Sequence, residues 1–214
     1  MRTLVLETAT AACSVALLED GALLGAAHEL VGRGHAEHLL AMVARLPDGG
    51  RADHVLVDCG PGSFTGIRVG LAAARALAFG WSASVSGYSS LHLLAAMGFA
   101  DNPTLATIAV IIEGGHGEVF MQGFAATPFA PIGPFASLRP EAALLALGEG
   151  SAIGNAERYL APLSPQRGWP QTLPCAARAL LLQKDDAMLA PSPIYGRAPD
   201  AKPMPAATAA IPGQ

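Results

Sequence analysis

Gly60 to Gly70, GPGSFTGIRVG, is the stretch whose reading decides the fold. The run before it, His54 to Asp58 (HVLVD), has the length and β-branched content of a short buried strand. After it, Ile67, Gly70, Leu71, Ala74, Leu77, Ala78 and Trp81 fall at three- and four-residue spacing, which predicts one face of a helix. The segment therefore reads as strand, turn, helix. Gly60, Pro61 and Gly62 form a turn that few other residues tolerate, and Ser63 or Thr65 can accept N–H groups at the helix start. Such a start attracts anions. The segment nevertheless lacks the Gly-Lys-Ser/Thr ending of a Walker loop and the spacing of a dinucleotide turn, so turn plus cap is the preferred reading.

On the helix, Gly66, Gly70, Ala74 and Ala78 recur every fourth residue. A ridge of small residues admits another backbone closely, from this chain or a partner. Glycine inside a helix costs roughly 1 kcal/mol relative to alanine, and close packing is the obvious compensation.

Working outward, Thr3 to Leu6 reads as a strand, and Cys13 to Leu18 with Leu23 to His28 reads as a hairpin around Asp20-Gly21. An amphipathic helix is expected from Ala36 to Leu46, a strand near Ser84, and a helix after the Ser89-Ser90 cap. Asp101-Asn102-Pro103 is the expected boundary. Beyond it come a strand at Thr104 to Ile112, a glycine turn at Gly114 to Gly117 and a partner strand at Glu118 to Phe124. A proline-rich loop (Pro128 to Pro134), a helix opened by Pro140 and stopped at Gly148, a strand at Ser151 to Asn155 and a helix at Ala176 to Lys184 complete the pattern. The expected organisation is an α/β lobe over 1–100, a smaller α/β lobe over 101–197 and a Pro/Ala-rich mobile tail over 198–214. Mixed sheets with packed helices are the expected fold class.

The chain has 214 residues, of which 51% are hydrophobic, enough for a sizeable core. Thirteen basic and seventeen acidic side chains leave a net charge of -4 with no Lys/Arg run, which argues against unaided binding to a nucleic-acid backbone. Cys13, Cys59 and Cys175 are widely spaced, so neither a disulfide framework nor a zinc knuckle is indicated. No targeting segment or membrane span is read, and a cytoplasmic location is expected.

GPGSFTGIRVG, with TLVLETATAACSVALLEDG at the start and GRGHAEHLL at Gly32 to Leu40, resembles the bacterial TsaB family, also called YeaZ. The likeness is strong over the first hundred residues. It thins to IIEGGHGEVFMQ at Ile111 to Gln122 and PIYGR at Pro193 to Arg197. The resemblance implies a two-lobed fold of the actin, sugar-kinase and heat-shock-ATPase type, in which the turn Glu7-Thr8-Ala9-Thr10 would face a nucleotide phosphate. Glu7 stands where the family usually has Asp, and Glu113-Gly114-Gly115-His116 stands where relatives often have Asp-Ala-Arg-Arg. Both departures weaken Glu7, Thr8 and Thr10 as cofactor ligands.

No catalytic site emerges from the residues. His35 and His38 are three apart, but no HExxH occurs and a third metal ligand is missing. Ser63 lies outside a GxSxG elbow and is expected to cap the helix. Arg68 and Arg75 are expected to pair with carboxylates or reach solvent.

The resemblance thus implies a noncatalytic subunit of the tRNA threonylcarbamoyladenosine machinery. It would bind and activate the paralogous enzyme TsaD, with the ATPase TsaE completing a ternary complex. It would form a homodimer when alone, handle ATP only through its partners and meet tRNA only through the complex. His35, Leu39, Met42, Val43, Ile67, Gly70, Leu71 and Ala74 are the expected partner surface, and Gly60, Pro61, Gly62, Ser63 and Thr65 the structural turn and cap. A small ATP-dependent phosphotransferase of the same superfamily is the competing reading.

Overall fold

The computed structural model describes residues 1–197. Two sheets and the helices packed on them form the framework of the described residues. In the first sheet, β1 (Arg2–Glu7) lies between antiparallel β2 (Ala12–Glu19) and parallel β4 (His54–Asp58). Antiparallel β3 (Ala22–Leu30) and parallel β5 (Ser84–Tyr88) form its two edges, giving the order β3-β2-β1-β4-β5. The β2–β3 connection is the Asp20-Gly21 pair, both at positive φ (49° and 82°), which suits the right-handed twist of the strands.

The central strands β1 and β4 are apolar on both faces because both faces are covered. Alternation along them sends Leu4, Leu6, Val55 and Val57 to one side, where α1 (His35–Ala44) and α2 (Phe64–Trp81) pack. It sends Val5 and Leu56 to the other, toward α3 (Ser90–Asp101). That helix is apolar nearly all round, and it is buried between the two sheets.

The second sheet has the order β8-β7-β6-β9, from β6 (Thr107–Gly115), β7 (Glu118–Ala126), β8 (Phe129–Leu138) and the short β9 (Ala152–Ile153). Helix α4 (Pro140–Leu147) packs against β7, and the one-turn α5 (Glu157–Leu160) follows β9. Ile108, Val110, Phe120 and Phe124 of this sheet join Val5, Leu56 and Tyr88 of the first in one core. The passage from one sheet to the other falls at the end of α3, beside Asp101-Asn102-Pro103.

Two elements differ from the sequence reading. The proline-rich stretch 128–134 is not a loop but the start of β8, with Pro131 opposite Phe124. As an edge strand, β8 can leave its proline nitrogens facing away from the ladder. The helix expected at Ala176 to Lys184 is a tighter 3₁₀ turn over Ala176–Leu181. Its buried Ala176 and Ala179 eclipse at three-residue spacing, and the Ala176 N–H is held by Ser14 Oγ at 3.0 Å. The expected tail, 198–214, lies outside the described residues. Among the described residues no helix is long and apolar enough to cross a membrane.

Candidate functional site

In open α/β sheets, ligands bind beyond the carboxyl ends of the parallel strands. Here β1, β4 and β5 end in Glu7, Asp58 and Tyr88. Register places them side by side, since Leu6 is level with Val57 and Asp58 is level with Tyr88. All three are 0% exposed.

Their polar atoms are taken up internally. Glu7 accepts the Ala9 N–H and the Tyr88 hydroxyl, each at 2.9 Å. Asp58 accepts the Gly60 N–H at 2.6 Å and the Ser90 hydroxyl at 2.8 Å. The two carboxyl groups are close enough to influence each other's proton affinity. Burial first, and the neighbouring Asp58 second, push Glu7 well above the usual carboxylate range. Burial also raises Asp58, against the hydrogen bonds from Glu7, Gly60 and Ser90 that hold it down. Burial thus favours the protonated form of both carboxyl groups.

The turn after β1 is closed by the start of α2. Ser63 caps that helix, its Oγ accepting the Gly66 N–H at 3.2 Å. Thr8 donates its hydroxyl to the Gly66 carbonyl at 2.8 Å. The fit leaves no room for side chains: a Cβ on Gly62 would lie 2.1 Å from the Ala9 carbonyl oxygen, and one on Gly66 would lie 2.0 Å from that of Thr8. A Cβ on Gly70 would lie 2.4 Å from Thr8 Oγ1. Glu7, Thr8 and Thr10 are thus turned inward, which corrects the expectation that this turn faces a phosphate.

The same contacts correct the expected partner surface. His35, Leu39, Met42, Val43, Ile67, Gly70, Leu71 and Ala74 are all buried within the monomer. Leu39, Met42, Val43, Ile67, Leu71 and Ala74 belong to the core between the helices and the first sheet, and Gly70 rests on Thr8. His35 places Nε2 at 2.8 Å from the Thr10 carbonyl and 3.1 Å from that of Ala12, tying α1 to the β1–β2 turn. The helical period identified a packed face correctly, but its neighbour is the chain's own sheet.

What the two helices leave in solvent is their outer side. On α1 it includes the apolar Ala36, Leu40, Ala41 and Ala44 beside Glu37 and His38, and on the adjacent α2 the apolar Ala72, Ala76 and Phe79 beside Arg68 and Arg75. Leu40 is 54% exposed and Phe79 is 91% exposed. Val69, Ala73 and Leu77 are half-buried beside them.

His38 pairs with Glu29 at 3.0 Å and does not converge with His35. Among the described residues no group of three or more His, Cys, Asp or Glu side chains could hold a metal ion. A cavity of 710 Å³ lies at the opposite, amino end of the parallel strands, lined in part by Thr3, His54, Ser84 and Met188. Its imidazole is held between Ser84 and Ser86, each at 2.8 Å, and burial lowers the His54 pKa. Sequence reading missed Asp58, Tyr88 and Ser90. The one available signal was the acidic residue ending each of the runs TLVLE and HVLVD.

Comparison with known proteins locates this arrangement. The TsaD family, described as tRNA N6-adenosine threonylcarbamoyltransferase, matches residues 24–127. The Escherichia coli tRNA threonylcarbamoyladenosine biosynthesis protein TsaB is 36% identical over 125 residues, covering 56% of this chain and 53% of that protein. The Haemophilus influenzae protein of the same name is 38% identical over 113 residues, 50% of this chain and 48% of that one. The chain therefore aligns with about half the length of these curated relatives. An uncharacterized protein of Mycobacterium tuberculosis is 30% identical over 213 residues, 94% of both chains. The solved structure of YeaZ from Pseudomonas aeruginosa superposes with a TM-score of 0.72 at 28% identity, covering 91% of this chain and 99% of that one. The same two-sheet architecture, the Gly60–Gly70 turn and helix, and relatives named TsaB and YeaZ lead to one conclusion: the chain belongs to the TsaB/YeaZ family.

Proposed function

We propose that this chain is a noncatalytic subunit of the machinery that forms threonylcarbamoyladenosine in tRNA, and that it binds TsaD and holds it in an active state. One observation carries the reading: the adjacent helices α1 and α2 bury their inner faces in their own core yet leave Leu40, Ala41, Ala44, Ala72, Ala76 and Phe79 in solvent, flanked by the exposed Glu37, His38, Arg68 and Arg75. Exposed large apolar side chains rimmed by polar ones mark a protein interface. The sealed strand ends support the noncatalytic part, because Glu7, Asp58, Thr8 and Ser90 spend their polar atoms on one another and on the backbone. Net charge -4 agrees with tRNA being met through the complex.

On this reading the chain pairs with itself when alone and exchanges that copy for TsaD. TsaE then joins, and ATP is handled by the partners. The test is reconstitution of tRNA modification from the threonylcarbamoyl-adenylate-forming enzyme, TsaD and TsaE, with and without this chain. Modification is expected only with it, and full-rate modification in its absence would overturn the proposal. Size exclusion with mass measurement, before and after TsaD is added, is expected to show a homodimer giving way to a heterodimer.

A further inference from the structure

The motif Pro193 to Arg197 has no part in the function proposed above, yet residues 187–197, which leave a 3₁₀ turn at Ala187 and form no helix beyond it, are anchored along their length. Their backbone adds to the free edge of β5: the Gly87 N–H donates to the Leu189 carbonyl at 2.8 Å, and the Leu189 N–H donates back at 3.0 Å. The segment then crosses the end of β4, where the Ile194 N–H donates to the Cys59 carbonyl at 2.7 Å. Helix α2 grips it from the side. Arg75 donates to the Pro191 carbonyl at 2.7 Å and Arg68 to the Tyr195 hydroxyl at 3.1 Å. The Tyr195 and Phe64 rings lie 5.4 Å apart, and the Arg68 guanidinium sits 3.5 Å over Phe64.

Glycine marks each close crossing. A Cβ on Gly87 would lie 2.3 Å from Cys59 Sγ and 3.2 Å from the Ala190 carbonyl oxygen. One on Gly60 would lie 3.1 Å from the Ile194 carbonyl oxygen, and one on Gly196 would lie 2.3 Å from the Phe120 ring. The seat is thus shaped for an extended peptide laid on a sheet edge, occupied by the chain itself. The side chains that hold it laterally, Phe64, Arg68, Arg75 and Tyr195, are exposed. A segment fastened mainly by surface contacts and a few backbone bonds opens at a fraction of the global stability.

We propose that residues 187–197 are a latch that opens as one unit, with the Tyr195–Phe64–Arg68 stack as its catch. Its opening uncovers Cys59 and the carboxyl ends of β4 and β5 while both sheets stay folded.

The test uses the full chain and two readouts: alkylation of Cys59 and Cys13 followed by mass spectrometry, and amide exchange at Gly87, Leu189 and Ile194. Both cysteines are fully buried in the same core, but Cys59 Sγ lies 3.7 Å from the Ala190 carbonyl oxygen of the latch, so in the native chain Cys59 is expected to label faster than Cys13. Tyr195→Ala is expected to accelerate Cys59 labelling and all three amides by one common factor, up to roughly tenfold given the strength of an aromatic pair, and to leave Cys13 unchanged. Tyr195→Phe, which keeps the ring and loses the hydroxyl, is expected to give a smaller common increase. Equal labelling of Cys13 and Cys59 in the native chain, unequal factors among the three amides, or acceleration of Cys13 in step with Cys59 would overturn the latch. If Tyr195→Ala fails to fold, Tyr195→Phe and the native labelling ratio decide.

Discussion

The inner and outer sides of α2 are built from similarly small residues, and they do opposite things. Inside, Gly66, Gly70, Ala74 and Ala78 let the β1 turn and the first sheet approach until no added carbon fits at the glycines. Outside, Ala72 and Ala76 touch solvent beside Phe79 and Leu40. Small residues at helical spacing show that a backbone approaches closely. They do not say whose backbone it is, and here the closest approach is internal while the other side is open to solvent.

Substitution on the inner side breaks that contrast most severely. Gly66→Ala drives a Cβ against the Thr8 carbonyl, and since neither backbone can yield, about 3 kcal/mol of stability should be lost. In a chain of this length that lowers Tm by roughly 6–12 °C in a thermal melt. A melt within a degree or two of the native chain would mean the seam is loosely packed.

Next in size is the buried acid pair behind that seam. Because Glu7 holds its proton more tightly when folded than when unfolded, the folded state binds more protons, and stability falls as pH rises. The contribution is full below the unfolded value of about 4.3 and is lost as pH climbs through the raised folded value. The decline should approach about 1.4 kcal/mol per pH unit within that window, and urea titrations across pH measure it. Glu7→Gln removes this titrating carboxyl and should flatten the curve. An equally steep curve in the variant would place the titrating proton elsewhere.

Smaller still is the helix cap. Ser63→Ala removes the acceptor for the Gly66 N–H and should cost about 1 kcal/mol at unchanged denaturant slope. The outer side should respond least in stability and most in assembly. Leu40→Glu and Phe79→Ser should each move unfolding by less than about 0.5 kcal/mol. On the proposed function, each should weaken association with TsaD tenfold or more in a binding titration. A destabilised but fully binding Phe79→Ser variant would reverse the assignment of the two sides.

Much of the local architecture was legible because it depends on neighbours in sequence. HVLVD has the bounds of β4, Asp20-Gly21 turns the first hairpin, and Pro140 and Gly148 bracket α4. The prolines of 128–134 misled because their tolerance depends on whether a strand is at an edge, which no local window contains. The buried pair was illegible for the same reason: Glu7 and Asp58 meet only through the parallel register of β1 and β4.

By itself, then, the sequence determined which residues turn inward, where the chain bends and which family motifs it carries, because periodicity, turn chemistry and capping are short-range. Only the tertiary structure decided what each inward face meets: the β1 turn rather than a partner at Gly66 and Gly70, a carboxyl at Glu7, and a returning strap over Cys59. Helical spacing specifies a direction in space, and the atoms lying in that direction are set by packing between segments far apart in the chain.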